Sequence, residues 1–485
     1  MNEWQADGPM DGPKEACGVF GIHAPGLDVA RITYFGLFAL QHRGQESAGI
    51  ASTDGVTGNG LRVHTRMGLV ATAFDEPALR GLHGTLAIGH TRYSTTGSSV
   101  ACNASPVCAE GDCGPIAVAH NGNLTNAALL RAELEGEGAV FSGSTDSEVV
   151  VEAIARAPGA TVGDKLVHAM NRFEGAFSLA VLTETELYAV RDPLGLRPLS
   201  LARLGDGWVV ASETCAFATI GATFVRDVEP GEVVRLDLAG PTTLARKPGE
   251  RNALCVFELI YFARPDSMMR GERLHLLRQR MGAELARETF TDADIVVPLP
   301  DSAVPAGIGY AHASSIPYAE ALIKNRYIGR TFIQPDQHLR DVGIMLKFNP
   351  LPEVLEGKRV ILVDDTIVRG TTSRPIVQLL RDAGAREVHM RVTAPPIMWP
   401  CFMGVDFASR SELIAARLDA DVAAIGREIG ADSLAYLSLD GLFRAIGQPK
   451  EQYCTACLTG EYPVPLYEDA DKFALERPFA GVAAR

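Results

Sequence analysis

The chain has 485 residues, 47% hydrophobic and 21% charged, the composition of a folded globular protein rather than a disordered one. A length beyond what one core usually serves predicts two or three domains. The formal net charge of −14, from 59 acidic against 45 basic side chains, excludes a general nucleic-acid binder, because phosphate backbones need a clustered basic face. No apolar run is long enough to cross a bilayer and the first residues carry no signal-peptide stretch, so no membrane partner is expected and the cytoplasm is the expected location.

In chain order, residues 1–16 (MNEWQADGPMDGPKEA) show two Gly-Pro steps, several charges and no apolar period. From Cys17 to about 247 the pattern is short apolar runs broken by Gly and Asn. "GTLAIGHTRYSTTG", "PIAVAHNGNL", "AFSLAVLTETELYAVRD" and "GWVVASETCAF" read as strands, and "ARITYFGLFALQHRG" and "SEVVVEAIARA" as helices. That segment is expected to be α+β. The Gly-, Pro- and charge-rich stretch 238–252 is the linker candidate. Beyond it, "ADIVVPLP", "KRVILVDD" and "EVHMRVTAPP" are continuous apolar runs near helical segments, as in strands covered on both faces of a parallel sheet. An α/β domain is therefore expected over 248–447, followed by a polar tail, 448–485.

The stretch "VILVDDTIVRGTT", 360–372, places two carboxylates at the C-terminal end of a buried strand, where open α/β sheets bind ligands. Thr366, Thr371, Thr372 and the backbone around Gly370 supply donors at a helix start, a site for phosphate. Asp364 and Asp365 would repel phosphate, so they suit sugar hydroxyls or a divalent cation. A phosphorylated sugar satisfies both halves of the motif. The string resembles the phosphoribosylpyrophosphate (PRPP) motif of the type I phosphoribosyltransferases. The resemblance implies that Asp364 and Asp365 hold the ribose hydroxyls and that Thr366, Arg369, Gly370, Thr371 and Thr372 cradle the 5-phosphate. "VVPLPDSAVPAG", with Asp301 and Ser302, resembles the pyrophosphate loop, and one Mg2+ per subunit is expected at Ser302, Asp364 and Asp365. Residues 324–350 resemble the flexible loop that closes on PRPP, with Lys324, Arg326 and Tyr327 in matching places. Met345 stands where that loop usually carries an arginine.

Cys17 opens "CGVFGI", and alone it reads as a small buried hydrophobe. Its company points elsewhere. "LQHRGQESAGI", "GHTRYSTTG", "HNGNL" and "STDSE" each join a turn to residues able to bind an amino acid. Arg43 and Arg92 could hold a carboxylate and Asp146 an ammonium. Thr145 and Glu148 also form a capping-box pattern that would place Asp146 at a helix start for structural reasons alone. Asn121 and the Gly122 N–H could stabilise an oxyanion. These segments resemble the glutaminase domain of the class II glutamine amidotransferases, which have an N-terminal-nucleophile (Ntn) fold. That resemblance implies a mature chain starting at Cys17, whose thiolate attacks the glutamine amide with the free α-amine as base. An α-amine has an unperturbed pKa of roughly 7.7 to 8.0, whereas an amide nitrogen is no base. Residues 1–16 are then a propeptide, and His42, His90 and His120 have structural roles.

Nine cysteines do not make a secreted disulfide framework. "YCTAC" (453–457) is a C-x-x-C that alone fits zinc, a redox pair or an iron–sulfur site. By resemblance to the cluster-containing glutamine PRPP amidotransferases, Cys255, Cys401, Cys454 and Cys457 bind one 4Fe-4S cluster per subunit. Cys102, Cys108 and Cys113 read as a surface loop and Cys215 as a packed core thiol. Together the resemblances imply an Ntn glutaminase sandwich followed by a type I phosphoribosyltransferase domain, passing ammonia from glutamine to PRPP at the first step of purine synthesis. A homotetramer inhibited by purine nucleotides is implied as well. The alternatives are a purine- or PRPP-responsive regulator and another class II amidotransferase; the glutaminase motifs speak against the first and residues 360–372 against the second.

Overall fold

The computed structural model describes residues 17–325, 346–406, 409–467 and 473–476. The expected propeptide and the site candidates Arg326, Tyr327 and Met345 lie outside the described residues.

Thirteen strands build the first half. They are β1 (Gly18–His23), β2 (Ser47–Thr53), β3 (Arg62–Met67), β4 (Leu86–Arg92), β5 (Val107–Gly111) and β6 (Gly114–Leu124). Then come β7 (Gly175–Leu182), β8 (Leu187–Arg191), β9 (Ser200–Leu204), β10 (Gly207–Ala211), β11 (Thr223–Asp227), β12 (Glu232–Asp237) and β13 (Gly240–Arg246). They form two antiparallel sheets, in the orders β11-β9-β10-β1-β4-β2-β3 and β13-β12-β8-β7-β6-β5.

Period-two alternation decides which residues meet. Val19 of β1, Ala117 and Ala119 of β6 and Ala180 of β7 point between the sheets into a shared core. Phe20 and Ile22 point the other way and pack with the helices Val29–Ala39 and Thr214–Ile220. Val118 of β6 and Leu179 of β7 likewise pack with Asp146–Arg156 and Val162–Met170. The result is helix, sheet, sheet, helix. Gly36 permits the close approach on one side, since a Cβ there would sit 2.4 Å from the Phe20 ring.

In the second half, Ile295–Pro298, Arg359–Asp364, Glu387–Val392 and Ser433–Tyr436 form a parallel sheet in chain order. Val360 to Val363 have no exposed surface, as a strand covered on both faces requires. Helices Leu274–Glu288, Val304–Ser314 and Ser373–Asp382 join the same core.

Three sequence readings need correction. "GWVVASETCAF" is strand only to Ala211; Ser212 and Glu213 turn the chain into the helix Thr214–Ile220. The stretch 238–252 is not all linker, because Gly240–Arg246 is the edge strand β13, whose mostly solvated residues mimic a loop in composition. The residues after it are docked as well: Gly249, Ala253 and Cys255 donate backbone hydrogen bonds to Pro193, Leu194 and Leu196. The cysteine trio is exposed but lies partly on an edge hairpin, with Cys108 on β5 and Cys113 in the turn to β6.

Candidate active sites

Cys17 precedes β1, and the β1–β4 pairing of Gly18 with Thr91 brings Arg92 and Tyr93 beside it. The thiol donates to Tyr93 O at 3.3 Å and accepts from Tyr93 N at 3.5 Å. Burial pushes its pKa up to about 11, against the lowering effects of the Tyr93 bond and Arg92. The thiol is therefore almost wholly protonated at neutral pH, and no side-chain base among the described residues hydrogen-bonds its sulfur.

On β6, the Asn121 side chain has no exposed surface, and neither its amide nitrogen nor its oxygen has a hydrogen-bond partner among the described residues. An unpaired buried polar group costs about 1–3 kcal/mol, so such a group is retained where something else pairs with it. Gly122 adopts φ +155°, and a Cβ there would lie 1.9 Å from Ala176 O, so no other residue fits. The turn after β4 touches both places: Tyr93 contacts the thiol, and Thr95 Oγ1 donates to Gly122 O at 3.4 Å.

Arg92 is 4% exposed and donates to Glu46 and to the carbonyls of Thr96, Gly97 and Ser98 at 3.2–3.4 Å. Asp146 begins its helix and accepts from Leu124 N at 3.1 Å, with His120 Nδ1 at 3.6 Å. Half of the expected capping box forms: Glu148 N donates to Thr145 Oγ1, while the Glu148 carboxylate turns to Ser142 and Gly143.

Arg43 does not take the role expected of it. Its guanidinium is 1% exposed and committed within the protein: Nε to Cys17 O at 3.1 Å, Nη1 to Glu213 at 2.6 Å, and both terminal nitrogens to Glu258 at 2.9 and 2.7 Å. Two carboxylates already neutralise it, which leaves no bidentate face for a substrate. Despite the opposing effect of burial, Glu258 and Glu213 hold its pKa above the ordinary arginine value.

The three histidines expected to be structural each have a partner within the protein: His42 meets Glu213 at 2.7 Å, His90 Nε2 donates to His120 O at 2.8 Å, and His120 Nδ1 meets Ser147 at 3.2 Å.

In the second half, Asp364 and Asp365 end the strand Arg359–Asp364 and are 6% and 5% exposed. Asp365 N donates to Asp364 Oδ1 at 2.8 Å and Thr366 Oγ1 to Asp365 Oδ1 at 2.9 Å. Burial raises the Asp365 pKa, while hydrogen bonds from Ser302 and Thr366 and the charge of Arg278 lower it. Gly370 at φ +81° makes the turn into Ser373–Asp382, where Thr372 stands at the N-cap position. Arg369 pairs with Glu412 at 3.0 Å. The pyrophosphate-loop candidate, Asp301 and Ser302, follows the adjacent parallel strand, and Lys324 Nζ lies 2.6 Å from Asp301 Oδ2. Sheet topology thus gathers the motifs from 301, 324 and 364–372 at one sheet end.

The four cysteines also converge. Leu254–Cys255 pairs in parallel with Tyr453–Cys454, aligning Cys255 with Cys454, and Met403 N lies 3.4 Å from Cys401 Sγ. All four are free thiols, and Cys457 has its pKa raised by burial and then by the charges of the other three. Among the described residues no group of three or more His, Cys, Asp and Glu is arranged to hold a single metal ion.

Sequence reasoning missed Glu258, Glu213 and Arg197. Glu258 sits in the apolar run "CVFELIYF", and a lone carboxylate in such a run was the available signal. It accepts from Arg43 and, at 3.2 Å, from Arg197, whose Nε and Nη2 hold Met403 O at 3.1 and 2.8 Å.

A glutamine amidotransferase domain family matches residues 90–219. The amidophosphoribosyltransferase of Synechococcus elongatus is 50% identical over 96% of this chain and 94% of its own length, and that of Bacillus subtilis 46% over 95% and 96%. The chain belongs to the amidophosphoribosyltransferase family. Among solved structures, the B. subtilis glutamine PRPP amidotransferase with ADP and GMP superposes with a TM-score of 0.88 at 45% identity, covering 95% of this chain and 100% of that one. An amidophosphoribosyltransferase catalyses the first committed step of purine biosynthesis, converting glutamine, PRPP and water to 5-phosphoribosylamine, glutamate and pyrophosphate. The expected architecture, an Ntn glutaminase followed by a phosphoribosyltransferase domain, is the one observed.

Proposed function

We propose that the working enzyme begins at Cys17 and divides the reaction between the two sites. The Cys17 thiolate attacks the glutamine side-chain carbonyl, the α-amine accepts the thiol proton and passes it to the departing nitrogen, and water then cleaves the thioester to glutamate. Asn121 Nδ2 and the Gly122 N–H stabilise the oxyanion. Arg92 exchanges its loop carbonyls for the glutamine carboxylate, and Asp146 receives the ammonium. The observation that carries this reading is the buried Asn121 amide, without a partner among the described residues, on the strand whose Gly122 is linked through the 93–95 turn to the thiol.

Ammonia then displaces pyrophosphate from C1 of PRPP. Asp364 and Asp365 hold the ribose hydroxyls, and Thr366, Arg369, Gly370, Thr371 and Thr372 hold the 5-phosphate. By the resemblance, Lys324, which here ends the strand Leu322–Lys324, and Tyr327 belong to the segment that closes on PRPP and shields the ammonia from water and from protonation. Two buried neighbouring carboxylates with Ser302 suit a divalent cation, and Mg2+ held there would neutralise the leaving pyrophosphate.

The chemistry of the four cysteines suits a 4Fe-4S cluster. Burial disfavours each thiolate, the Arg197 charge only partly offsets it at Cys255, Cys401 and Cys454, and bound iron would supply the further positive charge that four thiolates need. The cluster-containing subtype is therefore proposed, with the cluster tying 453–457 to 254–255.

Purine nucleotides are the proposed inhibitors, supported by the ADP and GMP of the solved relative. A homotetramer is the proposed assembly, for which exposed Phe35 and Phe38 offer apolar surface. The cytoplasm is the proposed location; among the described residues no helix is long and apolar enough to cross a membrane.

The deciding experiment joins an N-terminal mass measurement to Cys17→Ala. The expected outcome is a chain starting at Cys17 and a variant that loses glutamine-dependent activity while keeping activity with added ammonia. An active enzyme retaining residues 1–16, or loss of both activities in the variant, would overturn the reading.

A further inference from the structure

The segment Cys401–Gly404 belongs to the second half of the chain yet packs directly on the glutaminase site. Gly404, buried at φ +92°, lies so close to Gly122 that a Cβ on it would meet Gly122 C, O and Cα at 2.9, 3.0 and 3.1 Å. Phe402 O accepts from Asn123 Nδ2 at 2.9 Å, and Asn123 Oδ1 accepts the Thr96 hydroxyl of the turn after β4. Met403 O is held twice by Arg197, which also donates to Glu258. Glu258 holds Arg43, and Arg43 holds Cys17 O. One short segment therefore touches the oxyanion strand directly and reaches the nucleophile's carbonyl through three side chains, Arg197, Glu258 and Arg43.

We propose that Cys401–Gly404 is a brace that sets the oxyanion hole of the glutaminase, with Gly404 and Asn123 as its positioning residues. The proposal rests on the assignment of Asn121 and Gly122 as oxyanion donors. Gly122 cannot yield to pressure from Gly404 without disturbing β6, which is paired residue by residue with β7 across Asn121↔Ser178 and Gly122↔Phe177. Any displacement is passed to the Gly122 N–H and to the Asn121 side chain next to it. A donor misplaced by about 1 Å costs on the order of a hundredfold in rate, with little effect on ground-state binding. Asn123 reports on the same contact differently. It fixes the distance between the turn after β4 and the brace, and its two bonds can be separated, because an aspartate there still accepts from Thr96 but has no proton for Phe402 O.

The test compares Gly404→Ala, Asn123→Asp and Asn121→Ala, each assayed with glutamine and, separately, with ammonia. Gly404→Ala and Asn123→Asp are expected to lower kcat with glutamine by about tenfold or more, to leave KM for glutamine within about threefold, and to leave the ammonia-dependent rate within about twofold. A loss shared equally by the two activities would mean a merely structural contact and would overturn the proposal, as would an unchanged glutamine rate. Should Gly404→Ala fail to fold, Asn123→Asp decides alone. Asn121→Ala separates the two levels. If it lowers kcat while both brace variants do not, the oxyanion assignment stands and the brace falls; if it has no effect, the oxyanion assignment itself falls.

Discussion

Arg43 and Glu258 meet across the two halves of the chain through two hydrogen bonds, Nη1–Oε2 at 2.9 Å and Nη2–Oε1 at 2.7 Å, and neither side chain reaches solvent. Glu213 completes the neutralisation of Arg43 from the glutaminase side, with its own pKa held well below the usual carboxylate range because His42 and Arg43 outweigh its burial. The pair stands where two independent domains would otherwise expose polar surface to each other. Because Arg43 also holds Cys17 O, the contact between halves and the placement of the nucleophile share one guanidinium.

Glu258→Gln should therefore be costly. It preserves shape but leaves Arg43 and Arg197 with one carboxylate fewer in a buried setting, and breaking one side of a buried pair typically costs about 3–5 kcal/mol. The expected result is a lower denaturation midpoint and a larger loss of glutamine-dependent than of ammonia-dependent activity. Chemical unfolding and the paired assays check it; a variant as stable and as active as the parent would show that this network is dispensable.

The Cys17 thiol gives a pH prediction. Its pKa, raised to about 11 by burial, keeps the neutral form dominant up to alkaline pH, and the reactive thiolate grows as pH rises toward that value. A chain that keeps residue 16 bonded to Cys17 should be alkylated by iodoacetamide slowly at pH 7, with a rate that climbs about tenfold per pH unit through pH 10. Release of the α-amine should move the onset of labelling toward the amine's own range near pH 8. Identical profiles for the two forms would argue against the amine as base.

The cysteine set predicts an iron content. Reconstituted anaerobically, the protein should hold about four irons and four acid-labile sulfides per chain, the composition of the proposed cluster. Cys457→Ser should lower both. The thiols must lose protons to bind, and burial has raised the pKa of each, so reconstitution should be more complete at pH 8.5 than at pH 6.5. Iron that stays at background at either pH would remove the cluster from the account.

Much of this arrangement was legible in the chain, and for identifiable reasons. The strand Arg359–Asp364 was readable because a both-sides-buried strand needs a continuous apolar run, and Asp364 and Asp365 stood out against it. Asn121 and Gly122 are conspicuous as turn residues inside an apolar strand, while their oxyanion role rests on the resemblance and stays part of the proposal. Arg43 was misread: its basic character was plain, but the two carboxylates that consume it lie 170 and 215 residues away, and no local pattern announces a partner at that distance. β13 is hidden in the sequence because a mostly solvated edge strand has the composition of a loop. Gly404 was invisible, since a single glycine says nothing about which backbone it will approach.

His90 supplies the last test. It lies on β4 two residues before Arg92, and its Nε2 donates to the carbonyl of His120, the residue before Asn121, so it ties the arginine strand to the oxyanion strand. Burial, reinforced by the charges of Arg92 and His120, lowers its pKa from 6.5 to about 3. A depressed folded-state pKa means that the unfolded chain takes up the proton first. The stabilising contribution is thus complete above about pH 6.5 and is lost progressively as pH falls toward 3. His90→Asn, which can still donate but cannot titrate, should weaken the protein at pH 7 through lost packing and yet flatten the decline in stability between pH 6 and 4. Urea midpoints measured across that range distinguish the outcomes. A decline as steep in the variant as in the parent would place the acid sensitivity elsewhere.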